Sequence, residues 1–188
     1  MTSLIAPRPR TRQRRSYTVD EVLDMAGDRI LELYDGVIEE KDVANRAAQV
    51  AFQTAMLLND HRLQHGGVVI PPEGFVRLGD DRQLRRPDTG FVVTGRLPND
   101  DLGDGALLIP PDLAVEVISP RDNAEKVEKK LKAYLDFGVP LIWAIYPRTG
   151  TVRVVRPGGV DSRLGPGDLL DGGDAVPGLS IAVDAILA

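Results

Sequence analysis

The sequence predicts a mixed α/β fold in which a central sheet is flanked by helices. Two long segments carry apolar residues at helical spacing, and short apolar runs bounded by Gly, Pro and Asp surround them. Between them lies Leu113-Ala-Val-Glu-Val-Ile118, nearly continuous in apolar residues, as expected of a strand with both faces covered.

In chain order, Thr18 and Glu21 form a Thr-x-x-Glu capping box that opens a short helix carrying Val22, Leu23 and Met25, with Gly27 as its stop. Ile30–Tyr34 and Val37–Glu40 then flank Asp35-Gly36, a dipeptide that favours a type I′ turn, so a hairpin is expected. From about Asn45 to Arg62, the residues Ala47, Val50, Ala51, Phe52, Ala55, Met56 and Leu58 recur at helical spacing until Gly66-Gly67 ends the helix. Strands are read at Val68–Ile70, Gly74–Leu78, Phe91–Val93 and Leu113–Ile118. A second long helix runs from about Asp122 to Phe137, with Val127, Leu131 and Tyr134 on its apolar stripe and Gly138 at C′. Two further strands, Leu141–Tyr146 and Thr151–Arg156, turn through Thr149-Gly150. The Gly-, Pro- and Asp-rich remainder is expected to add one short strand or helical turn around Leu179–Leu187.

At 188 residues and 43% hydrophobic content, the chain suits one domain with a sizeable core. It has no cysteine, which excludes disulfides and thiolate-bound zinc. No run nears the roughly 18 apolar residues of a membrane span, and no apolar secretory segment follows the basic N-terminus, so a cytoplasmic protein without membrane contact is expected. The formal net charge is −5, and removing the five positive charges of Arg8, Arg10, Arg12, Arg14 and Arg15 leaves a body at −10. Residues 1–15 read as a disordered basic tail, either a solvated segment or an arm for phosphate backbones. The acidic body argues against tight nonspecific DNA binding and leaves room for a local basic groove.

Glu116 is the most informative residue, because a carboxylate inside a buried strand costs several kcal/mol, roughly, unless a cation or hydrogen-bond donors satisfy it. Its neighbours on the same face, Ala114 and Ile118, offer no polar partner. The two explanations are a metal ion and a buried Glu–Arg or Glu–Lys pair. Asp88 stands at the mouth of another strand, after Pro87, and proline commonly marks a strand's first position. Two carboxylates from neighbouring strands suit one Mg²⁺, which binds through one or two carboxylates and keeps waters for substrate phosphates. A Glu-x-Lys pair is missing, since position 118 is Ile. In the following helix Lys130 falls on the margin of the apolar stripe, where its stem can lie on the sheet while its ammonium reaches a strand end. Lys126, one turn back, is the second choice, and a plain charged helix face laced with Glu125 and Glu128 is the competing reading.

On these residues the chain resembles the Uma-two family of restriction-endonuclease proteins, expanded in cyanobacteria and part of the PD-(D/E)xK nuclease superfamily. The likeness runs from about Tyr17 to Leu187. It comprises Tyr17-Thr-Val-Asp-Glu, Glu32-Leu-Tyr-Asp-Gly36, Arg86-Pro-Asp88, Pro111-Asp-Leu-Ala-Val-Glu-Val-Ile-Ser-Pro120, Lys130-Leu-Lys-Ala-Tyr134, Gly138-Val139, the Trp143 strand and Pro177-Gly178-Leu179. The resemblance implies a restriction-endonuclease-like core over residues 16–188. It also implies a metal held by Asp88, Glu116 and a backbone carbonyl near Val117 or Ile118, with the lysine migrated onto the helix as Lys130. Family members often carry a histidine at the start of the first long helix, where this chain reads Asn45-Arg46. His61 and His65, at that helix's far end, are expected on the surface.

The expected activity is Mg²⁺- or Mn²⁺-dependent hydrolysis of DNA phosphodiester bonds, with Asp88, Glu116 and Lys130 catalytic and Glu32, Glu39 and Lys126 as auxiliary candidates. DNA is the expected partner and a homodimer the assembly allowed for. The alternative is a catalytically silent nucleic-acid-binding or assembly module with the same fold.

Overall fold

The computed structural model describes residues 15–27, 29–41, 44–72, 74–159 and 161–188. Arg8, Arg10, Arg12 and Arg14 lie outside the described residues. Arg15 is described, pairing with Glu21 at 2.9 Å and lying over the Tyr17 ring.

The first helix, α1 (Val19–Ala26), starts on the expected capping box, in which the Thr18 hydroxyl accepts from the Glu21 N–H and the Glu21 carboxylate accepts from the Thr18 N–H. The hairpin follows as β1 (Leu31–Tyr34) and β2 (Val37–Glu40), with positive φ at both Asp35 (49°) and Gly36 (79°), as a type I′ turn requires. Next come α2 (Asn45–His65), β3 (Val68–Ile70), β4 (Val76–Arg77), β5 (Leu84–Arg85) and β6 (Thr89–Val92). The second half contains β7 (Leu113–Val117), α3 (Ala124–Phe137), β8 (Ile142–Tyr146), β9 (Thr151–Val155) and β10 (Ser162–Leu164). The chain closes with β11 (Leu169–Asp171), β12 (Ser180–Ala182) and α4 (Val183–Leu187).

The central sheet has the order β10-β9-β8-β7-β6-β3 and is mixed: β7 and β8 are parallel, joined over the sheet by α3, and the other pairs are antiparallel. Leu113, Val115 and Val117 of β7 pack into a core with α2 and α4, while Ala114 joins the opposite core with Leu131 and Tyr134 of α3. Both faces of β7 are covered, which is why its sequence barely alternates.

The hairpin does not extend this sheet. It builds a second one, β2-β1-β5-β4, whose Leu31 and Leu33 face α1 over a separate small core. The two-residue strands β4 and β5 are what remain of the expected Gly74–Leu78 strand and of a segment with no strand signal. The C-terminal segment is richer than expected, with the small sheet β11-β12 ahead of α4. His61 is buried rather than on the surface: it lies three residues after Leu58 on the inward side of α2, its ring stacked on His65 and edge-on to Phe91. No helix among the described residues is long and apolar enough to cross a membrane.

Candidate active site

Period-two alternation gives the hairpin two faces. Leu31 and Leu33 go to the α1 side, so Glu32 and Tyr34 point the other way, into a cavity of about 310 Å³ that is also lined by Glu39 and Lys41. Lys41 directly follows β2, and its N–H is bonded to the Ile30 carbonyl at 2.8 Å, which keeps it in hairpin register and on the same face as Glu39. Glu32 and Glu39 are direct cross-strand partners, a like-charge pair that calls for cations. Helix α3 supplies them: Lys130 meets Glu32 at 2.7 Å and Lys126, one turn earlier, meets Glu39 at 2.9 Å.

Asp88 is placed by the end of a ladder. Its N–H donates to the Val115 carbonyl at 2.9 Å, beside the pairing of Thr89 with Val115. Pro87 has no N–H to continue the ladder, and Asp88 Oδ2 accepts the Val117 N–H at 2.7 Å. The side chain thereby replaces a main-chain acceptor and sits beside Glu116 with Oδ1 still available. That oxygen lies 2.7 Å from the Lys41 ammonium, which also lies 3.9 Å from Glu116 Oε2. The two acids thus converge on one cation.

Glu116 is 4% exposed, and both of its oxygens are engaged. Tyr134 donates to Oε1 at 2.8 Å, and Lys130 lies 2.9 Å from Oε2. Lys130 has three N–H donors. It faces Glu32 at 2.7 Å, Glu116 at 2.9 Å and the Arg86 carbonyl at 3.2 Å. Glu32 likewise uses both oxygens, accepting from Lys130 and the Arg86 N–H on one and from Tyr34 on the other. Arg85 closes the rear of the site, its guanidinium 3.5 Å over the Tyr34 ring and bonded to the Leu33 carbonyl.

Electrostatics follow from this burial. Loss of solvent pushes the Glu116 carboxyl up to about 7, against the opposing pull of Lys130 and Lys41. Burial pushes Glu32 in the same direction, but the nearby Lys130 and Lys41 charges and the donated hydrogen bonds outweigh it, and its carboxyl is held below the usual value. For Lys130, burial favours the neutral amine, and Glu116, Glu32 and Asp88 together overcome that and keep it charged. The Tyr134 and Tyr34 hydroxyls are held well above their ordinary values, first by burial and then by the adjacent carboxylates, so both remain donors.

These placements bring Asp88, Glu116, Lys130 and Glu32 together and leave Glu39 and Lys126 on the rim, paired with each other. Val117 and Ile118 line the same cavity. The sequence reading missed Lys41, Tyr34, Tyr134 and Arg86 as participants. Arg46, at the start of α2, donates to the Leu187 carbonyl at 2.5 Å.

Among the described residues, no three His, Asp or Glu side chains gather closely enough to cage an ion by themselves. A Mg²⁺ ion needs less, since one or two carboxylates with waters suffice. Asp88 Oδ1 and Glu116 Oε2 are that donor pair, hard oxygens already facing a positive charge in the form of the Lys41 ammonium. The residues fit such an ion in chemistry and in number.

The description of the Uma2 family, Putative restriction endonuclease, applies to a match over residues 19–184. A crystal structure described as a putative nuclease belonging to DUF820 from Anabaena variabilis ATCC 29413 shares the fold. It has TM-score 0.76 and 22% sequence identity, covering 90% of this chain and 97% of that one. No curated protein matches the sequence. The mixed sheet flanked by helices is therefore restriction-endonuclease-like. With the family match running from α1 into α4, through every strand and helix that furnishes the acidic cluster, the chain belongs to the Uma2 family of putative restriction endonucleases.

Proposed function

We propose that this chain is a divalent-metal-dependent endonuclease that hydrolyses DNA phosphodiester bonds in the cavity between the hairpin and α3. One observation carries the reading: the carboxylates of Asp88, just before β6, and of Glu116, on the adjacent β7, both border the Lys41 ammonium in that cavity. Asp88 and Glu116, with a carbonyl near Val117 or Ile118, would hold Mg²⁺ or Mn²⁺ there, and such an ion would supply Lewis acidity toward the phosphate.

The chain's own residues do the positioning. Lys130 and Tyr134 fix both Glu116 oxygens, so the carboxylate cannot rotate out of the site. The Val117 N–H fixes one oxygen of Asp88 and leaves the other directed at the cation position. Glu32, with both oxygens occupied, anchors Lys130 and is a positioning group rather than a ligand. The buried ammonium of Lys130 also offsets negative charge that develops nearby during hydrolysis. A basic N-terminal arm over residues 1–15 gives the otherwise acidic body an electrostatic hold on the phosphate backbone.

The competing reading, a silent binding or assembly module, draws on one fact: Lys41 and Lys130 pair with the acidic groups and neutralise most of their charge. A cleavage assay separates the two. Plasmid, linear and single-stranded DNA are incubated with Mg²⁺ or Mn²⁺, beside Asp88→Ala, Glu116→Ala and Lys130→Ala, each variant checked for its fold by circular dichroism. Metal-dependent cleavage lost in Asp88→Ala and Glu116→Ala is the expected result. Cleavage that survives all three substitutions would remove the site from the reaction.

A further inference from the structure

The two lysines of the cluster are held very differently, and the difference concerns the metal seat. Lys130 is buried and has three acceptors for its three donors. Lys41 has one short contact, with Asp88 Oδ1 at 2.7 Å, and a second at 3.9 Å to Glu116 Oε2, and its side chain keeps 26% of its exposure. Its backbone is tied to Ile30, so the side chain can leave by rotation of its four-carbon stem while the hairpin stays in place.

Charge balance points the same way. With all three carboxyls ionised, Glu32, Asp88 and Glu116 carry three negative charges against two on Lys41 and Lys130, one negative charge in excess. A divalent ion in place of the Lys41 ammonium brings the cluster to neutrality, whereas an ion added beside a retained Lys41 leaves it positive. Asp88 Oδ1 has Lys41 as its contact, while Glu116 Oε2 is shared between Lys130 at 2.9 Å and Lys41 at 3.9 Å, so both oxygens border the position that Lys41 fills.

We infer that Lys41 is the exchangeable cation of this site: it occupies the seat between Asp88 and Glu116 in the metal-free protein and must swing out for a divalent ion to bind. The inference rests on the proposal that Asp88 and Glu116 hold a metal. It makes Lys41 a built-in competitor that keeps the two carboxylates neutralised until metal arrives and weakens apparent metal affinity by the fraction of molecules with the seat filled.

The test is calorimetric titration of Mn²⁺ into the full chain as wild type, Lys41→Met, Lys41→Gln and Asp88→Asn. Thermal unfolding is followed in parallel, in chelator and in Mn²⁺. With the competitor removed, both Lys41 variants are expected to bind Mn²⁺ about tenfold or more tighter than wild type. Their melting temperatures are expected to fall in chelator and to rise further than that of wild type on adding Mn²⁺. Asp88→Asn is expected to lose binding. If the Lys41 variants bind no tighter than wild type while Asp88→Asn loses binding, Lys41 is not a competitor and the metal site stands alone. If wild type and all variants fail to bind, or Asp88→Asn binds as wild type does, the metal-site reading falls and the exchange falls with it.

Discussion

The charged row that crosses this cleft has a sealed end and an open end built from the same chemistry. At the sealed end Lys130 joins Glu32 and Glu116 at 2.7 and 2.9 Å, with side chains between 5% and 10% exposed. At the open end Lys126 joins Glu39 at an equal 2.9 Å, but with 64% and 36% of the two side chains exposed. Distance alone does not distinguish the pairs. Water does: an ion pair in solvent is screened and entropically costly, while a buried one is indispensable once its partners have been desolvated. The sealed end is therefore architecture that fixes the carboxylates, and the open end stays hydrated.

The sharpest way to break the comparison is at its sealed end. Lys130→Met keeps an apolar stem of similar length but strands Glu32 and Glu116 without their shared cation. The expected loss is about 3–5 kcal/mol, read from urea unfolding of the metal-free protein. A loss under about 1 kcal/mol would mean that the pair is as replaceable as a surface one.

A smaller effect is expected for Tyr134→Phe, which removes one hydrogen bond to Glu116 Oε1 without changing charge or ring packing. Leaving a buried carboxylate oxygen without its donor costs about 1–3 kcal/mol. The loss is expected to coincide with weaker Mn²⁺ binding, because Glu116 then has one fewer constraint. Unchanged stability and unchanged metal affinity together would show that Tyr134 is packing alone.

The sequence exposed the centre of this cluster more readily than its rim. Glu116 was legible because a carboxylate stands out in an apolar strand, and Lys130 because its helical phase puts it at the edge of the Leu131 and Tyr134 stripe. Lys41 was hidden by position: it lies just past the hairpin strand, and only continuing the alternation from Glu39 would have brought it onto the site face. The pairing of Glu32 with Glu39 follows directly from the Asp35-Gly36 turn, and Lys126 and Lys130 are one helical turn apart, so the matching of two acids with two bases was available in principle. What pattern could not supply was the docking of hairpin on helix, since the hairpin joins a second sheet through β5, whose two residues carry no strand signal. His61 shows the same limit, because its burial depends on Phe91, thirty residues away.

The mildest perturbation belongs to the open end and sharpens the comparison most. Lys126→Ala breaks an ion pair of 2.9 Å, close to the 2.7 Å of Lys130 with Glu32, on the same helix and against the same hairpin. Because both partners remain hydrated, the expected stability change is within about 0–1 kcal/mol, and smaller still in concentrated salt. Glu39 is then released at the cavity, bringing an uncompensated negative charge to the cleft proposed to take DNA. Single-stranded DNA binding, measured by fluorescence anisotropy, is therefore expected to weaken in Lys126→Ala while unfolding in urea stays near wild type. Removing both charges, in Lys126→Ala with Glu39→Gln, is expected to recover part of that affinity. A double variant no better than the single one would show that Lys126 contacts phosphate directly instead of merely masking Glu39. A stability loss as large as that of Lys130→Met would erase the distinction between the two ends altogether.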